Sequence, residues 1–338
     1  MNISELGEFG FIDHITRREK EREHNSTTIL GIGDDAAIIC HKEDMQSVVS
    51  TDLLIDGVDF DLSYTPIRHL GYKSVVAGAS DICAMGGIPQ QITISLGITS
   101  RFSVEDIDEF YEGVDIALKE YGIDLIGGDT SASHSGLIIS ITAIGSIEKG
   151  GAISRSGASK EQIICTSGDV GSAFIGLKLL ECEKNVCDSK QKAQSNLSNY
   201  SYLIERALKP RLRVDILEQL DKLSLRPTSM IDISDGIASE ILHICKYSGV
   251  GARIYTDYLP IVAKAIDAGE ELGIDPIIAA MNGGDDYELL FTLPASAHQT
   301  VEQIEGVRVI GYTTDKERGA KLVTPQNVEL EIKAQGHK

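Results

Sequence analysis

Apolar and polar positions follow two alternating spacings along the first half of the chain. Runs rich in β-branched residues and bounded by turn residues predict strands, at residues 36–40, 47–54, 91–98, 123–126 and 137–144. Between these runs the apolar spacing becomes helical, at residues 65–84 and 103–121. Thr65 and Ser103 are residue types that cap helices, so each predicted helix has a start signal. Alternating strands and helices predict an α/β unit.

The second half repeats this order of elements after a glycine-rich stretch at residues 145–151. Strands are predicted at residues 162–166, 229–233, 252–255, 287–293 and 307–312, and helices at residues 172–181, 237–248 and from residue 202 onward. The polar segment at residues 183–198 predicts a surface loop or a helix end. We therefore expect a second domain, with the boundary near residue 148.

Length and charge restrict the kinds of protein that this chain can be. Its 338 residues are enough for about two domains, and 42% hydrophobic residues can supply a full core. Lys and Arg number 31 against 51 Asp and Glu, which gives a net charge of −20. Charge of that sign repels phosphate backbones and anionic lipid headgroups, so we expect neither nucleic acid nor a membrane as a partner.

The cysteines and the N-terminal residues indicate the cytoplasm. None of the six cysteines has a partner at the spacing of a zinc site, so we expect reduced thiols. The first 25 residues lack the basic and then apolar layout of a signal peptide. A cytoplasmic protein is the expectation.

One short pattern recurs five times: an apolar run ends, a glycine, serine or threonine follows, and then an aspartate. It occurs as GIGDD, STD, GGDT, DISDG and GGDDYE, at residues 31–35, 50–52, 127–130, 232–236 and 283–288. A single instance is typical of a turn, because Asp and Gly are favoured at strand ends. Five instances predict that the aspartates lie close together, because strand ends on one side of an α/β sheet face a common crevice.

Aspartates gathered in one crevice need cations beside them. Two carboxylates about 4 Å apart repel by about 4 kcal/mol at an effective dielectric of about 20, so a larger group cannot stay fully ionised. Mg²⁺ takes oxygen ligands and is held by a few carboxylates together with substrate phosphates. An acidic protein can therefore bind ATP through its magnesium complex, and the adjacent glycines let phosphates approach the backbone.

Other motifs fit this chain less well. GIGDDA at residues 31–36 matches the dinucleotide pattern G-x-G-x-x-A, with Asp52 and Asp56 near the place of its ribose-binding acid. However, Asp34 and Asp35 would face the pyrophosphate, and a strand rather than a helix is predicted next. The P-loop, the protein-kinase signatures, the EF-hand spacing and the nucleophile elbow do not occur in the sequence.

In their order and spacing, the five aspartate motifs GIGDD, STD, GGDT, DISDG and GGDDYE resemble those of thiamine-monophosphate kinase. This family is related to aminoimidazole ribonucleotide synthetase, selenophosphate synthetase and the hydrogenase-maturation protein HypE. The resemblance extends from residue 7 to about residue 311 and is carried by GEFGFI, GIGDDAA, STDLL, the helix that reaches Asp81, IGGDT, SRSGA, DISDG and GGDDYELLF. It implies an α/β fold of the α+β type, with two domains of the aminoimidazole ribonucleotide synthetase-like fold and ATP in the cleft between them. Residues 1–148 would bind ATP and metal and form a homodimer, and residues 149–338 would form the second domain.

The activity implied by the resemblance is transfer of the γ-phosphoryl group of ATP to thiamine monophosphate, which gives thiamine diphosphate and ADP. The family's functional positions carry over to this chain residue by residue. The ligands of several Mg²⁺ ions would be Asp35, Ser50, Thr51, Asp52, Asp81, Asp129, Asp232 and Asp235. The nucleotide would be contacted by Tyr111, by the backbone of Gly128, by Arg155 and by Ser234.

Three positions depart from the family's pattern around the substrate. Asp59 stands where the family commonly has a histidine, and Asp285 where it commonly has a glutamate. These two aspartates are therefore the residues predicted to contact the substrate. Residues 335–338 read QGHK, whereas the family usually has a glycine and then an aromatic residue that covers the substrate's ring.

The chemistry of the acceptor predicts that no general base is needed. A phosphomonoester has a second pKa of about 6, so the attacking oxygen is already largely ionised at neutral pH. The obstacle is the repulsion between two anions, and Mg²⁺ can screen it. We expect direct in-line transfer without a covalent phospho-enzyme.

Two other functions stay open. One is another ATP-dependent enzyme of the same superfamily with a different acceptor, although the cysteines, from Cys40 to Cys245, lie at neither the N-terminal position of selenophosphate synthetases nor the C-terminal position of HypE-like proteins. The other is a non-catalytic acidic protein that binds cations or a protein partner through its charge. Magnesium-dependent ATP binding distinguishes this second alternative from an enzyme.

Overall fold

The computed structural model describes residues 14, 15, 17, 25–30, 38–188 and 197–334. The chain divides into two compact units. The first unit holds the described residues up to Ile82 together with Gly87–Ala152, and the second holds Cys83–Gly86 together with the described residues from Ile153 onward. No helix among the described residues is both long and apolar enough to cross a membrane. A domain boundary near residue 148, with a separate role for each domain, stays a prediction.

The first unit is built on a mainly antiparallel sheet. Its strands are β1 (Thr28–Leu30), β2 (Ile38–Ile39), β3 (Met45–Ile55), β4 (Ile88–Ile98), β5 (Asp124–Ala132) and β6 (Ile138–Glu148). Strands β1 and β2 pair with each other, and the other four follow the order β3-β6-β4-β5, in which β4 and β5 are parallel. Side chains alternate between the two faces, and one face is apolar and buried, with Ile94 of β4 paired to Ile141 of β6.

Two helices pack in the first unit through glycines. They are α1 (Ile67–Ala84) and α2 (Val104–Tyr121). A Cβ atom at Gly78 of α1 would lie 2.4 Å from Cγ2 of Ile141, so this glycine lets α1 approach the buried face of the sheet. A Cβ atom at Gly113 of α2 would lie 1.7 Å from the carbonyl oxygen of Arg68, so α1 and α2 approach each other backbone to backbone.

The second unit is built on a seven-stranded sheet in the part of the chain that is described. Its strands are β7 (Gln162–Ser167), β8 (Ser229–Asp232), β9 (Val250–Tyr255), β10 (Leu289–Pro294), β11 (Val307–Asp315), β12 (Ala320–Val323) and β13 (Glu329–Glu331). Their order is β13-β12-β9-β11-β7-β10-β8, and only β9 and β12 among these neighbours are parallel. Because β10 is antiparallel to both β7 and β8, those two strands run in the same direction.

Helices cover the second unit's sheet and enclose an apolar core on each of its two faces. The helices are α3 (Ser172–Asp188), α4 (Ser201–Leu208), α5 (Val214–Lys222), α6 (Ile237–Ser248), α7 (Ala263–Leu272), α8 (Pro276–Asn282) and α9 (His298–Val301). Alternate residues of one strand serve different cores: Ile231 of β8 packs with Ile237 and Ile241 of α6, whereas Met230 packs with Ile216 of α5. The sheet is therefore buried on both faces.

The observed sheets correct one prediction about the aspartate motifs. Ser50 and Asp52 lie inside β3, which pairs with β6 over its whole length, and Asp129 lies inside β5. Asp81 lies inside α1. The expectation that the motifs mark strand ends is wrong for STD and GGDT, because the pairing of β3 with β6 and of β5 with β4 continues through them. In the second unit Asp232 does end β8.

Several predictions concern residues that the structure does not describe. They are the GEFGFI motif near the N-terminus, the GIGDDAA motif with Asp35, the middle of the polar segment at residues 189–196, and residues 335–338. The described start of that polar segment belongs to α3, which extends to Asp188.

Candidate active site

The predicted site residues fall into two groups, one in each unit. The first unit carries Ser50, Thr51, Asp52, Asp59, Asp81, Tyr111, Gly128 and Asp129, and the second carries Arg155, Asp232, Ser234, Asp235 and Asp285. Asp35 lies outside the described residues.

The first group centres on a cluster of oxygen ligands between β3 and α1. Ser50 and Asp52 are two residues apart on β3 and point to the same face, since side chains alternate along a strand. The Ser50 hydroxyl donates a hydrogen bond to the Asp81 carboxylate on α1. Burial, followed by the charges of Asp81 and Asp59, raises the pKa of Asp52 from 3.8 to about 6. The structure thus brings the carboxylates of Asp52 and Asp81 together. The carboxylate of Asp59 is close enough to contribute to the raised pKa of Asp52.

Thr51 is placed differently from its neighbours. Its side chain lies on the opposite face of β3 and is exposed. Its hydroxyl donates to the Ile141 carbonyl oxygen at 3.0 Å and shares a hydrogen bond of 3.2 Å with the Thr142 hydroxyl. The structure therefore does not bring the Thr51 side chain together with Ser50 and Asp52, and only its main chain lies between theirs.

Asp59 closes the turn that follows β3. Its carboxylate accepts a hydrogen bond of 2.8 Å from the main-chain N–H of Ile55, and its own N–H donates to the Ile55 carbonyl oxygen at 3.0 Å. A histidine at this position would leave the turn without a carboxylate acceptor and would remove one negative charge near Asp52. Asp59 therefore stabilises the turn after β3 in addition to its predicted contact with the substrate.

The remaining predicted residues of the first unit lie on β5 and α2. Asp129 is exposed, and its carboxylate accepts a hydrogen bond of 2.8 Å from the N–H of Thr130. Gly128 pairs with Ile94, and a Cβ atom there would lie 2.0 Å from the Ile94 carbonyl oxygen, so this position admits no side chain. Tyr111 is half-buried on α2 and meets Phe110 edge to face, with ring centroids 5.5 Å apart. Burial raises the pKa of its phenol, which therefore stays protonated as a donor.

In the second unit two of the predicted motifs form one structure. The N–H of Asp285 donates to the Ser234 carbonyl oxygen at 2.8 Å, and the N–H of Tyr287 donates to the Ile233 carbonyl oxygen at 2.9 Å. Gly284 makes this approach possible, because its φ is +76° and a Cβ atom would lie 2.4 Å from the Ser234 carbonyl oxygen. The DISDG loop and the GGDDYE loop are therefore adjacent.

This pairing places a predicted substrate residue beside the predicted metal ligands of the same unit. Asp285 itself has a φ of +61°, and its carboxylate accepts a hydrogen bond of 3.2 Å from the Tyr287 hydroxyl. Asp232 at the end of β8 is buried, and Asp235 is half-buried. Neither the spacing of the two motifs nor their composition reveals this contact, because they lie about fifty residues apart in the chain.

Glu240 belongs to this group and was not predicted from the sequence. One of its carboxylate oxygens accepts a hydrogen bond of 3.0 Å from the N–H of Asp235. Burial raises the pKa of Glu240 to about 8, with Asp232 and Asp235 adding to the rise and Arg155 opposing it. Because Arg155 acts on the pKa of Glu240, this exposed cation lies close to the DISDG loop. A glutamate at a buried position in the first turn of an amphipathic helix is the sequence signal that could have found it.

Behind the GGDDYE loop lies a buried ion network that the sequence did not indicate. Glu288 is 1% exposed and accepts hydrogen bonds from Arg206 at 3.0 Å and from Arg213 at 2.8 Å. The Ser167 hydroxyl donates to the same carboxylate at 2.5 Å. Arg206 in turn lies 3.3 Å from a carboxylate oxygen of Asp169. Arg206 lies in α4 and Arg213 directly precedes α5, and both are buried. Their bonds to Glu288 therefore join the end of the GGDDYE loop to these two helices.

We expect Asp286 to make the stability of the protein depend on pH between about 4 and 8. Burial raises the pKa of Asp286 from 3.8 to about 8, against the opposing charge of Arg206. A raised folded-state pKa gives stability that is complete below about pH 4 and is lost as the pH rises through about 8. Asp286→Asn cannot ionise but keeps an acceptor for the Gly171 N–H, which donates to Asp286 at 2.8 Å. Thermal melting over this pH range should therefore show a loss in the wild type that the variant lacks.

The exposed Asp267→Asn is the matched control for this experiment, because its side chain lies on the surface. It should keep the pH dependence of the wild type. Parallel melting profiles for wild type and Asp286→Asn would contradict the assignment.

The donor set suits a hard divalent cation. Carboxylates and a hydroxyl are the ligand types that Mg²⁺ takes, and the negative charges beside Asp52 favour a cation there. Among the described residues, no three acidic, histidine or cysteine side chains are grouped closely enough to hold a metal ion by themselves. Mg²⁺ normally keeps several waters and binds substrate phosphates, so two carboxylates and a hydroxyl fit such an ion when a nucleotide supplies further ligands.

Comparison with known proteins first defines a class. The family model described as "AIR synthase related protein, N-terminal domain" matches residues 33–147. The solved structure of the hydrogenase maturation protein HypE has a TM-score of 0.73 over 96% of this chain and 98% of that chain, at 17% identity. At this identity the likeness concerns the fold alone, and it agrees with the mixed α/β architecture of both units. Residues 33–147 thus match the N-terminal domain of the AIR synthase-related class of proteins.

The nearly full-length relatives narrow this class to one family. The thiamine-monophosphate kinase of Bacillus subtilis (strain 168) is 33% identical over 98% of this chain and 99% of its own length. The crystal structure of thiamine-monophosphate kinase from Stenotrophomonas maltophilia K279a has a TM-score of 0.78 at 31% identity, covering 97% of this chain and 98% of that chain. A structure described as "AaThiL complexed with AMPPCP and TMP" has a TM-score of 0.74 at 30% identity, covering 98% and 97%. The chain belongs to the thiamine-monophosphate kinase family.

Proposed function

We propose that this protein transfers the γ-phosphoryl group of ATP to thiamine monophosphate, that it requires Mg²⁺, and that it does so in the cytoplasm. The observation that carries the proposal is the likeness to thiamine-monophosphate kinases over 98% of the chain. A relative solved as a complex with AMPPCP and TMP supports the pair of substrates. The acidic clusters of the two units supply the ligand chemistry that such substrates need.

Mg²⁺ would be held by Asp52, Asp81 and Ser50 in the first unit and by Asp232 and Asp235 in the second, with Asp35, Asp129 and the main chain of Thr51 as further ligands. When bound, it supplies positive charge that screens phosphate oxygens and stabilises charge on the transferred group. We assign the nucleotide contacts to Tyr111, the backbone of Gly128, Arg155 and Ser234. Arg155 is the exposed cation that acts on the DISDG loop, so it can meet an anionic phosphate there.

The reaction itself needs little from the protein beyond position and charge. An oxygen of the acceptor's phosphate attacks the γ-phosphorus, and the bond from that phosphorus to the bridging oxygen breaks, so ADP leaves. The attacking oxygen is already ionised, and no histidine or cysteine belongs to either group of site residues described above. We therefore assign direct in-line transfer, in which the side chains bind, orient and neutralise the two anions.

We assign contacts with the acceptor to Asp285 in the second unit and to Asp59 in the first, each taken within its own unit. Asp285 has a carboxylate fixed by the left-handed backbone at its own position and by the Tyr287 hydroxyl. The thiazolium ring of thiamine is cationic, and an acidic side chain suits it. Asp59 adds negative charge to the first unit's cluster while it closes its turn.

Release of ADP from ATP in the presence of a panel of phosphorylated acceptors tests the proposal. We expect thiamine monophosphate to give thiamine diphosphate and the other acceptors to give none. Turnover with another phosphorylated acceptor, and none with thiamine monophosphate, would identify a different ATP-dependent enzyme of the superfamily. Absence of magnesium-dependent ATP binding would instead support a non-catalytic acidic protein.

We also propose that the protein is a homodimer that pairs through the outer face of the first unit's sheet. Strand β3 lies at the edge of that sheet and exposes Val49 and Leu53 on the face opposite α1, with relative exposures of 62% and 55%. Thr51 lies between them, and their partners on β6, such as Ile144, are half-buried. An apolar face next to an unpaired strand edge is a typical interface between two copies of one chain.

The substitution Leu53→Glu should disrupt this dimer. A carboxylate in the centre of the face would be buried against its own symmetry mate, which is unfavourable. We expect the variant to have the mass of a monomer in sedimentation equilibrium. Val58→Glu is the matched control, because Val58 is 71% exposed but lies in the turn after β3. A dimer that survives Leu53→Glu would contradict this interface.

A further inference from the structure

Glu240 occupies an unusual position for an acidic residue. It lies in the first turn of α6, and its residue is only 3% exposed. The neighbouring residues of the helix, Ile237, Ile241 and Ile244, belong to an apolar core. An ionisable group in such surroundings is costly unless it makes a compensating contact.

The contact that Glu240 makes is to the main chain of the DISDG loop. One carboxylate oxygen accepts the N–H of Asp235 at 3.0 Å. The α6 helix begins only after Gly236, so the Asp235 N–H lies before the helix and outside the strand ladder. The side chain thus reaches back over the helix start and binds the main chain of the residue before Gly236. Such a contact is a side-chain cap for a loop that also presents Asp232.

The surroundings of the loop explain why this contact matters. The preceding residues are tied to the GGDDYE loop through the carbonyl oxygens of Ile233 and Ser234. The following residue, Gly236, has a φ of +98°, and a Cβ atom there would lie 2.6 Å from the Met281 carbonyl oxygen. Asp235 stands between these two fixed points. The Ser234 carbonyl and the Asp235 N–H belong to one peptide, which the Asp285 N–H holds at its carbonyl and Glu240 holds at its N–H. The hydrogen bond to Glu240 thus completes the fixation of this peptide and with it the direction of the Asp235 side chain.

We propose that Glu240 is a positioning residue that holds the main chain at Asp235 so that the Asp235 carboxylate meets the magnesium–nucleotide complex. This inference rests on the proposed function of the site. It assigns Glu240 no direct contact with metal or nucleotide, because its hydrogen-bonding oxygen is used by the loop. Outer contacts of this kind, which orient a metal ligand, typically change metal affinity or activity by about 10-fold to 100-fold when they are removed.

Two substitutions of similar size separate the hydrogen bond from the charge. Glu240→Gln retains an oxygen that accepts the Asp235 N–H but carries no charge. Glu240→Leu fills nearly the same volume among the isoleucines but has no acceptor. Leucine is also compatible with the apolar core, so the second variant should remain folded, and circular dichroism and thermal melting verify this for both.

Binding of Mg²⁺ together with AMPPCP, measured by calorimetry on the full chain, is the direct readout. We expect Glu240→Gln to bind within about 3-fold of the wild type, and Glu240→Leu to bind at least about 10-fold more weakly with an unchanged or higher melting temperature. In thiamine monophosphate turnover, the magnesium concentration for half-maximal rate should rise in the leucine variant and return close to the wild-type value in the glutamine variant.

Two results would overturn the role of Glu240. Equal weakening in both variants would mean that its charge is required, as for a direct ligand, and wild-type binding in Glu240→Leu would mean that its hydrogen bond does not orient the site. A wild-type protein that does not bind magnesium and AMPPCP would overturn the proposed function itself, and the positioning role with it. The wild-type measurement therefore distinguishes the two failures.

Discussion

The substitution Asp52→Asn should lower the rate of thiamine monophosphate phosphorylation by at least about 1000-fold, equivalent to ~4 kcal/mol in the barrier. Asp52 lies beside Asp81 on the adjoining helix, and the two carboxylates together with Ser50 form the oxygen-rich cluster of the first unit. An amide at this position is a weaker ligand for Mg²⁺ and carries no charge to hold the ion. Initial rates at saturating ATP and Mg²⁺ measure the effect.

The same substitution should stabilise the metal-free protein. The pKa of Asp52 is raised to about 6, so the folded state favours its neutral form. The stability associated with that neutral form is complete below about pH 4 and is lost as the pH rises through about 6. An asparagine avoids this loss. The melting temperature of Asp52→Asn should therefore exceed that of the wild type above about pH 6 without Mg²⁺, and the difference should vanish near pH 4.

Asp44→Asn serves as the control for both effects, because Asp44 is an exposed residue in the turn before β3. It should keep wild-type turnover and wild-type melting. Turnover within a few-fold of the wild type in Asp52→Asn would remove Asp52 from the proposed metal ligands.

The substitution Glu288→Ala should destabilise the second unit by about 3–5 kcal/mol, because it leaves two buried arginines without their shared counter-charge. Arg206 and Arg213 are 7% and 9% exposed, and both donate to this one carboxylate. Guanidinium titration followed by circular dichroism should show an earlier midpoint for the unfolding of this unit. The shift is expected with or without ATP and Mg²⁺.

Asp215→Ala provides the matched comparison for Glu288→Ala. Asp215 also pairs with Arg213, at 2.9 Å, but its side chain is 57% exposed. Exposed ion pairs contribute at most about 1 kcal/mol, so this variant should unfold close to the wild type. Equal midpoints for the two variants would mean that burial does not control the strength of the network.

The elements that are marked by local chemistry could be predicted from the sequence. Helix α2 was expected to begin after Ser103, and the structure confirms this with a capping box between Ser103 and Asp106. Helix α6 was predicted at residues 237–248 and has these bounds. In both cases the signal lies within a few residues: a capping residue or a glycine and then an amphipathic repeat.

The directions and neighbours of the strands could not be predicted in the same way. The motif that contains Ser50 and Asp52 was read as a strand end, but it lies inside β3, because pairing with β6 continues on both sides of it. Strands β12 and β13 and helices α7 and α8 were not predicted at all. Strand β12 pairs with β9, which lies much earlier in the chain, and pairing over such a distance leaves no local pattern.

Part of the candidate site was likewise hidden in the sequence. The DISDG and GGDDYE loops are joined by main-chain hydrogen bonds. Such bonds do not require particular residue types, so the sequence does not reveal them. Glu240 and Glu288 resemble ordinary surface acids in the sequence, and only the fold shows that they are buried. The aspartates themselves could be found because metal-binding chemistry restricts residue type.

Magnesium-dependent phosphoryl transfer is tested most directly by a single reaction with ATP labelled at the γ-phosphate and thiamine monophosphate, with and without Mg²⁺. We expect labelled thiamine diphosphate in the presence of Mg²⁺, no labelled product after chelation, and at least about a 1000-fold slower appearance of label with Asp52→Asn. Labelled product that forms equally well without Mg²⁺, or no labelled thiamine diphosphate under any condition, would contradict magnesium-dependent phosphoryl transfer.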